Sequence, residues 1–200
     1  MNNALQLAVE KFKKADPSSV SHRSGAKLRI VDSQERIEVD YLGFRYLSCL
    51  PEVEVVCQDS AKKVSVREKT IILHYLAQSR GTPTSGRWID LRELPGGITY
   101  YPVFVGRVHR PFLKAFGNNP SLFLKAAQAL KGIQADVADF SAQIQVFPRV
   151  PIIFALYQGD EEFPSDCKVL FDANITDYLS TEDVVVVCEE TVRRLKSVLH

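Results

Sequence analysis

Asp160-Glu161-Glu162-Phe163-Pro164 sets three carboxylates side by side immediately after Gly159. Adjacent carboxylates repel one another, so such a loop needs solvent, a Lys or Arg partner, or a hard cation. Mg²⁺ and Ca²⁺ select oxygen ligands but take about six to eight of them, more than one short run supplies. Asp166 and Asp172 are the next carboxylates along the chain. The metal candidates are therefore Asp160, Glu161, Glu162 and Asp172. With a cation bound, the three loop carboxylates would serve metal-assisted or acid–base chemistry, provided that they converge with Glu93, Asp172 or a histidine. Without one, the loop is a contact for a basic partner, a dock onto the chain's own basic segment, or a solvated turn anchored by Phe163 packing inward.

A second segment compresses unusual chemistry into ten residues, Trp88-Ile89-Asp90-Leu91-Arg92-Glu93-Leu94-Pro95-Gly96-Gly97. It holds the single tryptophan, a charge pair and a double glycine. Gly96-Gly97 either lets the backbone approach a ligand closely or makes a turn with positive φ. Trp88, Arg92, Glu93, Gly96 and Gly97 join the three loop carboxylates as ligand- or partner-binding candidates. His74 completes that set. It sits at the edge of a helical apolar stripe, where an imidazole is either satisfied by a neighbour or serves as an axial ligand to the metal of a tetrapyrrole. His109 flanks an aromatic face in the same way, whereas His22 falls in an expected linker and His200 at the chain end.

Other signatures are missing. The sequence has no phosphate-binding G-x-x-x-x-G-K-[ST], no G-x-G-x-x-G, no H-E-x-x-H and no G-x-S-x-G. Cys49, Cys57, Cys167 and Cys188 stand singly, which encodes neither a zinc nor an iron–sulfur motif and reads as reduced, buried thiols. The net charge of +1 conceals segregation: residues 61–131 carry twelve Lys/Arg against three Asp/Glu, and residues 158–183 carry eight Asp/Glu against Lys168 alone. Such blocks compensate one another or steer partners of opposite sign. Arg107, Arg110 and Lys114 project opposite the apolar face of their helix, as on a solvated helix back. No nucleic-acid motif accompanies them, so nucleic acid is not an expected partner. No apolar run is long enough to cross a bilayer, and the first residues are amphipathic rather than a targeting signal, so a cytoplasmic protein is expected.

The elements that must position these residues follow from periodicity. An amphipathic helix opens the chain, and Asp16-Pro17-Ser18-Ser19 begins a polar linker running to about Lys27. Strands are expected at Lys27–Asp32, Arg36–Tyr41 and Phe44–Cys49, with Leu42-Gly43 as a tight turn and Pro51 as the stop. Val64–Gln78 is helical, and so is Tyr100–Phe116, kinked or split at Pro111. Asn119-Pro120 opens a further helix ending at Gly132. Three more strands follow at Gln143–Phe147, Val150–Tyr157 and Cys167–Phe171, with prolines implying edge or bulged positions. Ser180-Thr-Glu-Asp183 caps a final helix whose core face is Val184, Val187, Cys188, Thr191, Leu195 and Val198. Strands gather early and late with helices between, which indicates an α+β fold. The expectation is one domain over 1–200, with 1–26 as helix and linker and 27–200 as core, built on a mostly antiparallel, mixed sheet against several helices.

Taken in order, these landmarks resemble a prokaryotic family catalogued as domain of unknown function 3786. They are Tyr41-Leu42-Gly43 with Tyr46, Ile72-Leu73-His74-Tyr75-Leu76, Gly86 with Trp88, and Glu93-Leu94-Pro95-Gly96-Gly97. Phe116-Gly117, Asp160-Glu161-Glu162-Phe163-Pro164, Leu170-Phe171-Asp172, and Leu179 with Glu182-Asp183 complete the series. The resemblance implies an anaerobic setting and, through relatives that carry an iron–sulfur module like that of corrinoid proteins, an association with one-carbon metabolism. This chain has no such module. Two readings result: a module that binds a small ligand, a tetrapyrrole or a corrinoid/iron–sulfur protein, and a metal-assisted enzyme built on Asp160, Glu161 and Glu162.

Overall fold

The computed structural model describes residues 3–31, 33–49, 52–61 and 63–199. Asp32, Pro51 and His200, used above as a strand end, a strand stop and a terminal histidine, lie outside those residues. Strands β1 (Lys27–Val31), β2 (Gln34–Tyr41), β3 (Phe44–Cys49) and β4 (Glu54–Cys57) form an antiparallel meander. Leu42 and Gly43 both have positive φ, 48° and 80°, the backbone that a two-residue hairpin needs to match strand twist.

A second sheet is made of β5 (Trp88–Asp90), β6 (Ile133–Gln134), β7 (Phe140–Phe147), β8 (Val150–Tyr157) and β9 (Asp166–Asp172) in the order β5-β9-β8-β7-β6. Every described pairing is antiparallel. The α+β class is as expected, but there are two sheets rather than one, and neither is mixed. Short links join β6 to β7, β7 to β8 and β8 to β9, and strands joined that way can only pair antiparallel. Pro151 lies in an interior strand, not an edge. A register shift between Gln145 and Phe147 opens the ladder beside it, so the missing N–H falls at a bulge.

Among the helices, α1 (Asn3–Lys13), α3 (Val66–Gln78), α6 (Pro120–Ala129) and α7 (Thr181–Ser197) follow the sequence pattern closely. The expected linker after α1 is instead a helix, α2 (Pro17–Ser24). The residues taken as a breaker are its start signal: Asp16 accepts from the Ser19 N–H at 2.7 Å and Pro17 occupies the first turn. The expected Tyr100–Phe116 helix comprises α4 (Gly97–Phe104), a π-helical turn over Val105–His109, and α5 (Arg110–Phe116). Pro111 has no N–H to give and its ring crowds the preceding turn. The chain answers by widening that turn, so the Arg110 N–H reaches back to the Val105 carbonyl.

A column of rings joins these parts. Tyr46 and Tyr41 of the first sheet lead to Phe147 of the second (Tyr41 to Phe147, 4.7 Å), then to Tyr75 of α3 (4.0 Å) and to Tyr178 before α7 (5.9 Å). Offset aromatic contacts of this kind add ~0.5–1.5 kcal/mol each beyond their buried area. A second cluster, Phe112, Phe116 and Phe123, seats α5 and α6 on Phe154 of β8. Helix α7 carries the expected core face, but Val185, Glu190 and Val192 are buried too, so it is enclosed on more than one side.

Asp172, at the end of β9, is buried and organises the loop before β5. Its carboxylate accepts from the backbone N–H of Ser85, Gly86 and Asn174 and from the Ser85 hydroxyl, at 2.7–3.1 Å. Burial alone would raise its pKa, but these donors outweigh that and hold it below the ordinary carboxylate value. Replacing Asp172 by Ala removes the acceptor for these donors, the buried Asn174 N–H among them, so the unfolding free energy in denaturant titrations should fall by about 1–3 kcal/mol. An unchanged midpoint would contradict this role.

Candidate functional site

Arg67 near the start of α3 reaches the later half of α7, whereas His74 near its end reaches the first turn of α7. The two helices are therefore antiparallel and joined by charged rungs. Arg67 grips Glu189 through two hydrogen bonds of 3.1 and 2.9 Å and touches Glu190 at 3.4 Å. Arg107 of the π-helical turn shares Glu189, and Arg193 pairs with the buried Glu190. Arg194 bonds Glu68 at 3.1 Å while its guanidinium covers the Phe44 ring. At the other end, His74 Nδ1 lies 2.8 Å from Asp183 Oδ1.

Arg67 and the His74–Asp183 pair border a cleft of about 450 Å³. From α3 it takes Arg67, Thr70, Ile71 and His74, which recur at three- and four-residue spacing and so share one face. From α7 and its cap it takes Ser180, Glu182, Asp183 and Val186, and Ala4 of α1 closes one side. The volume falls within the ~300–1,000 Å³ typical of small-molecule sites.

Asp183 does two jobs. Its Oδ2 accepts from the Ser180 hydroxyl at 2.8 Å and closes the capping box that starts α7, while Oδ1 takes His74. Burial would raise its pKa, yet the His74 and Ser180 donors outweigh burial and hold it below the usual range. An ionised Asp183 is acceptor-only, so His74 must carry its proton on Nδ1. Nε2 then has no hydrogen-bond partner among the described residues, and in the neutral ring its lone pair is available as a base, an acceptor or a metal ligand.

The remaining candidates are dispersed. Asp90, Arg92 and Glu93 are used locally: Asp90 accepts from the Arg92 N–H and guanidinium, and Glu93 accepts from the Asp90 N–H, capping a 3₁₀ turn over Leu91–Glu93. Arg92 also lies over the Tyr101 ring. Trp88 pairs in register with Asp172 on β5. Gly96 has φ +71°, and a Cβ on Gly97 would meet the Leu91 carbonyl oxygen at 1.8 Å. Both glycines answer to backbone geometry. The segment does touch α7, because Thr181 Oγ1 donates to the Pro95 carbonyl at 2.7 Å.

The acidic loop is folded by its own backbone. Asp160 accepts from the N–H groups of Glu162 and Phe163 at 2.9 and 2.8 Å, which lowers its pKa. Phe163 is 66% exposed and does not anchor the loop inward; the turn closes on backbone hydrogen bonds and needs no apolar anchor. Asp172 sits at the far end of β9, six residues of strand from Asp166, or ~20 Å. The four metal candidates are thus not brought together, and no group of three or more His, Cys, Asp and Glu suited to a metal occurs among the described residues. The opposed charge blocks meet at Arg80–Asp177, not at this loop.

His109 is buried, edge-on to Tyr101 and Phe104, with Nε2 unpartnered among the described residues. Burial lowers its pKa. Cys167 and Cys188 are buried, and Cys49 and Cys57 half-buried. Burial pushes the Cys167 thiol up to about 12 and Cys188 well above its ordinary value.

The chain belongs to the family described as domain of unknown function (DUF3786), whose model matches residues 16–194. That stretch includes His74, Asp183 and the acidic loop, and α1 lies outside it. No curated protein and no solved structure matches the chain. Within the described residues, no helix is long and apolar enough to cross a membrane.

Because Asp183 binds protons less readily folded than unfolded, its contribution to stability is complete above the unfolded pKa of ~3.9 and is lost as pH falls through the lower folded value. Asp183→Asn should cost about 2–3 kcal/mol near neutral pH. Its stability should also decline less steeply than that of the wild type between about pH 5 and pH 2. Parallel stability–pH curves for the two proteins would show that the pair is not formed.

Proposed function

We propose that this protein is a ligand-binding module whose ligand seats between α3 and α7 and presents a metal or an acidic proton to Nε2 of His74. The observation that carries this reading is the 2.8 Å His74–Asp183 contact on the wall of the 450 Å³ cleft. Imidazoles that ligate metals characteristically donate their other N–H to a carboxylate, which fixes the tautomer and raises the basicity of the free nitrogen. Ile71 and Val186 give the cleft apolar surface, and Glu182 and Arg67 mark its polar edges.

The finer form of this reading is a corrinoid or haem, with a corrinoid or iron–sulfur protein as partner in anaerobic one-carbon metabolism in the cytoplasm. The carboxylate-backed imidazole of His74 would hold the metal of such a group, which would supply redox or ligand-exchange chemistry when bound. In that role His74 binds, Asp183 orients the ring, and the apolar walls exclude water. The cysteines do not suit a cluster of this chain's own. They are scattered singly along the chain, and Cys167 and Cys188 are buried.

Titration of the wild-type protein with haemin and with cobinamide, followed by visible absorbance, tests both levels. The expected result is a saturable shift of the ligand's bands that weakens at least about tenfold, or ~1.4 kcal/mol, in His74→Ala and persists in Glu161→Gln. Flat difference spectra with both probes would remove the tetrapyrrole form. Shifts that persist unchanged in His74→Ala would remove the site.

A further inference from the structure

Two charged features lie outside the cleft, and neither forms an ion pair among the described residues. Asp160, Glu161, Glu162 and Phe163 are all exposed, and no Lys or Arg forms an ion pair with the three carboxylates among the described residues. The other feature is a groove of about 390 Å³ lined by Gly106, Arg110, Pro111, Lys114, Ala115 and Lys196. Its three cations are exposed, have no ion-pair partner among the described residues, and meet no carboxylate in the groove. Pro111 and Ala115 give it an apolar floor.

The two features share one side of the molecule. Arg110 and Lys114 share a face of α5 at four-residue spacing, and Gly117 and Asn118 form the turn that ends it. Asn118 and Gly117 form a wall against Gly159, Asp160 and Phe163. The loop approaches there because position 117 is glycine: a Cβ would meet Ser165 Oγ at 2.6 Å. The loop therefore lies about 10 Å along the α5 direction from the groove, roughly two helical turns. A lone exposed phenylalanine is ordinary. One set among three carboxylates, beside a cation-rimmed groove with an apolar floor, is half of a matched pair.

We propose that the protein self-associates as a two-fold dimer in which the α5 stripes run antiparallel and each acidic loop seats in the other copy's groove. Phe163 packs on Pro111 and Ala115, and the three carboxylates face Arg110, Lys114 and Lys196 of the second copy. Displacement along a shared axis makes the pairing reciprocal, so the assembly closes instead of growing into a filament. Three charges of each sign meet on each side of the axis and are neutralised there. This dimer is independent of what occupies the α3–α7 cleft.

Sedimentation velocity on the wild type, on Glu161→Lys/Glu162→Lys and on Arg110→Glu/Lys114→Glu tests the proposal. These side chains make no ion pair among the described residues, and thermal melts will verify that both variants are folded. The wild type should be dimeric at low salt, and its association should weaken at least about tenfold as the Debye length shrinks from ~30 Å to ~3 Å. Each variant alone should be monomeric, because its loop and groove now carry the same sign. An equimolar mixture of the two should recover the dimer, because both loop–groove contacts are again of opposite sign. A wild type that stays monomeric at low salt, variants that dimerise like the wild type, or a mixture that stays monomeric would each overturn the proposal. Binding of a foreign acidic peptide by a monomeric wild type would assign the groove to another partner and overturn it equally.

Discussion

Helices α3 and α7 are held side by side, yet apart, by the charges they share. Arg67 with Glu189 and Glu190, Arg194 with Glu68, and His74 with Asp183 bridge the two helices. A buried ion pair is weak evidence for net stability, because desolvation offsets much of its attraction. Removing one partner is a different matter and costs ~3–5 kcal/mol, since the other charge stays behind unpaired. What the rungs determine is register. With Glu190 buried among two arginines and Asp183 committed to its histidine, α3 cannot slide along α7 without stranding a charge. The cleft lies beside the Arg67 and His74–Asp183 rungs, whose side chains line it.

The rest of the molecule supports that pair from behind. Tyr75 projects from α3 into the ring column, where it stacks on Phe147 at 4.0 Å, and its hydroxyl donates to the Ser24 carbonyl of α2. On α7, Val187, Cys188, Thr191 and Leu195 are buried. Each helix thus has one side set in core and another carrying the charged rungs. His74 is positioned through both: its backbone by core packing at Leu73, Tyr75 and Leu76, and its ring by Asp183. A site built on two packed helices is more precise than one built on loops.

Much of the fold is legible in the sequence because its signals are local. Alternation across Ile37, Val39 and Tyr41, positive φ at Leu42-Gly43, Asn119-Pro120 as a helix start and Ser180 with Asp183 as a cap are each written within a few residues. Misreadings arose where one local signal has two meanings. Asp16-Pro17 can break one helix or begin another, and Pro111 can kink a helix or be absorbed by a π turn. The site was only half legible. His74 stood out by residue type and Asp183 by its capping role, but 109 residues separate them, and no local pattern reports contact at that distance. The acidic loop was conspicuous by composition, yet the structure shows that conspicuous charge and convergent geometry are separate properties. Glu161 and Glu162 join no ion pair or metal-type cluster among the described residues, whereas the unobtrusive Asp183 orders a histidine.

The central claim is that Asp183 holds His74 in the Nδ1–H form, leaving Nε2 for the cleft. Long-range ¹H–¹⁵N correlation of the histidine rings at neutral pH reads the tautomer directly. The account predicts that His74 shows a protonated Nδ1 and a bare, acceptor-type Nε2, and that Asp183→Asn shifts the ring toward the Nε2–H form that free imidazole side chains favour. A wild-type His74 that is already in the Nε2–H form, with no response to Asp183→Asn, would contradict it.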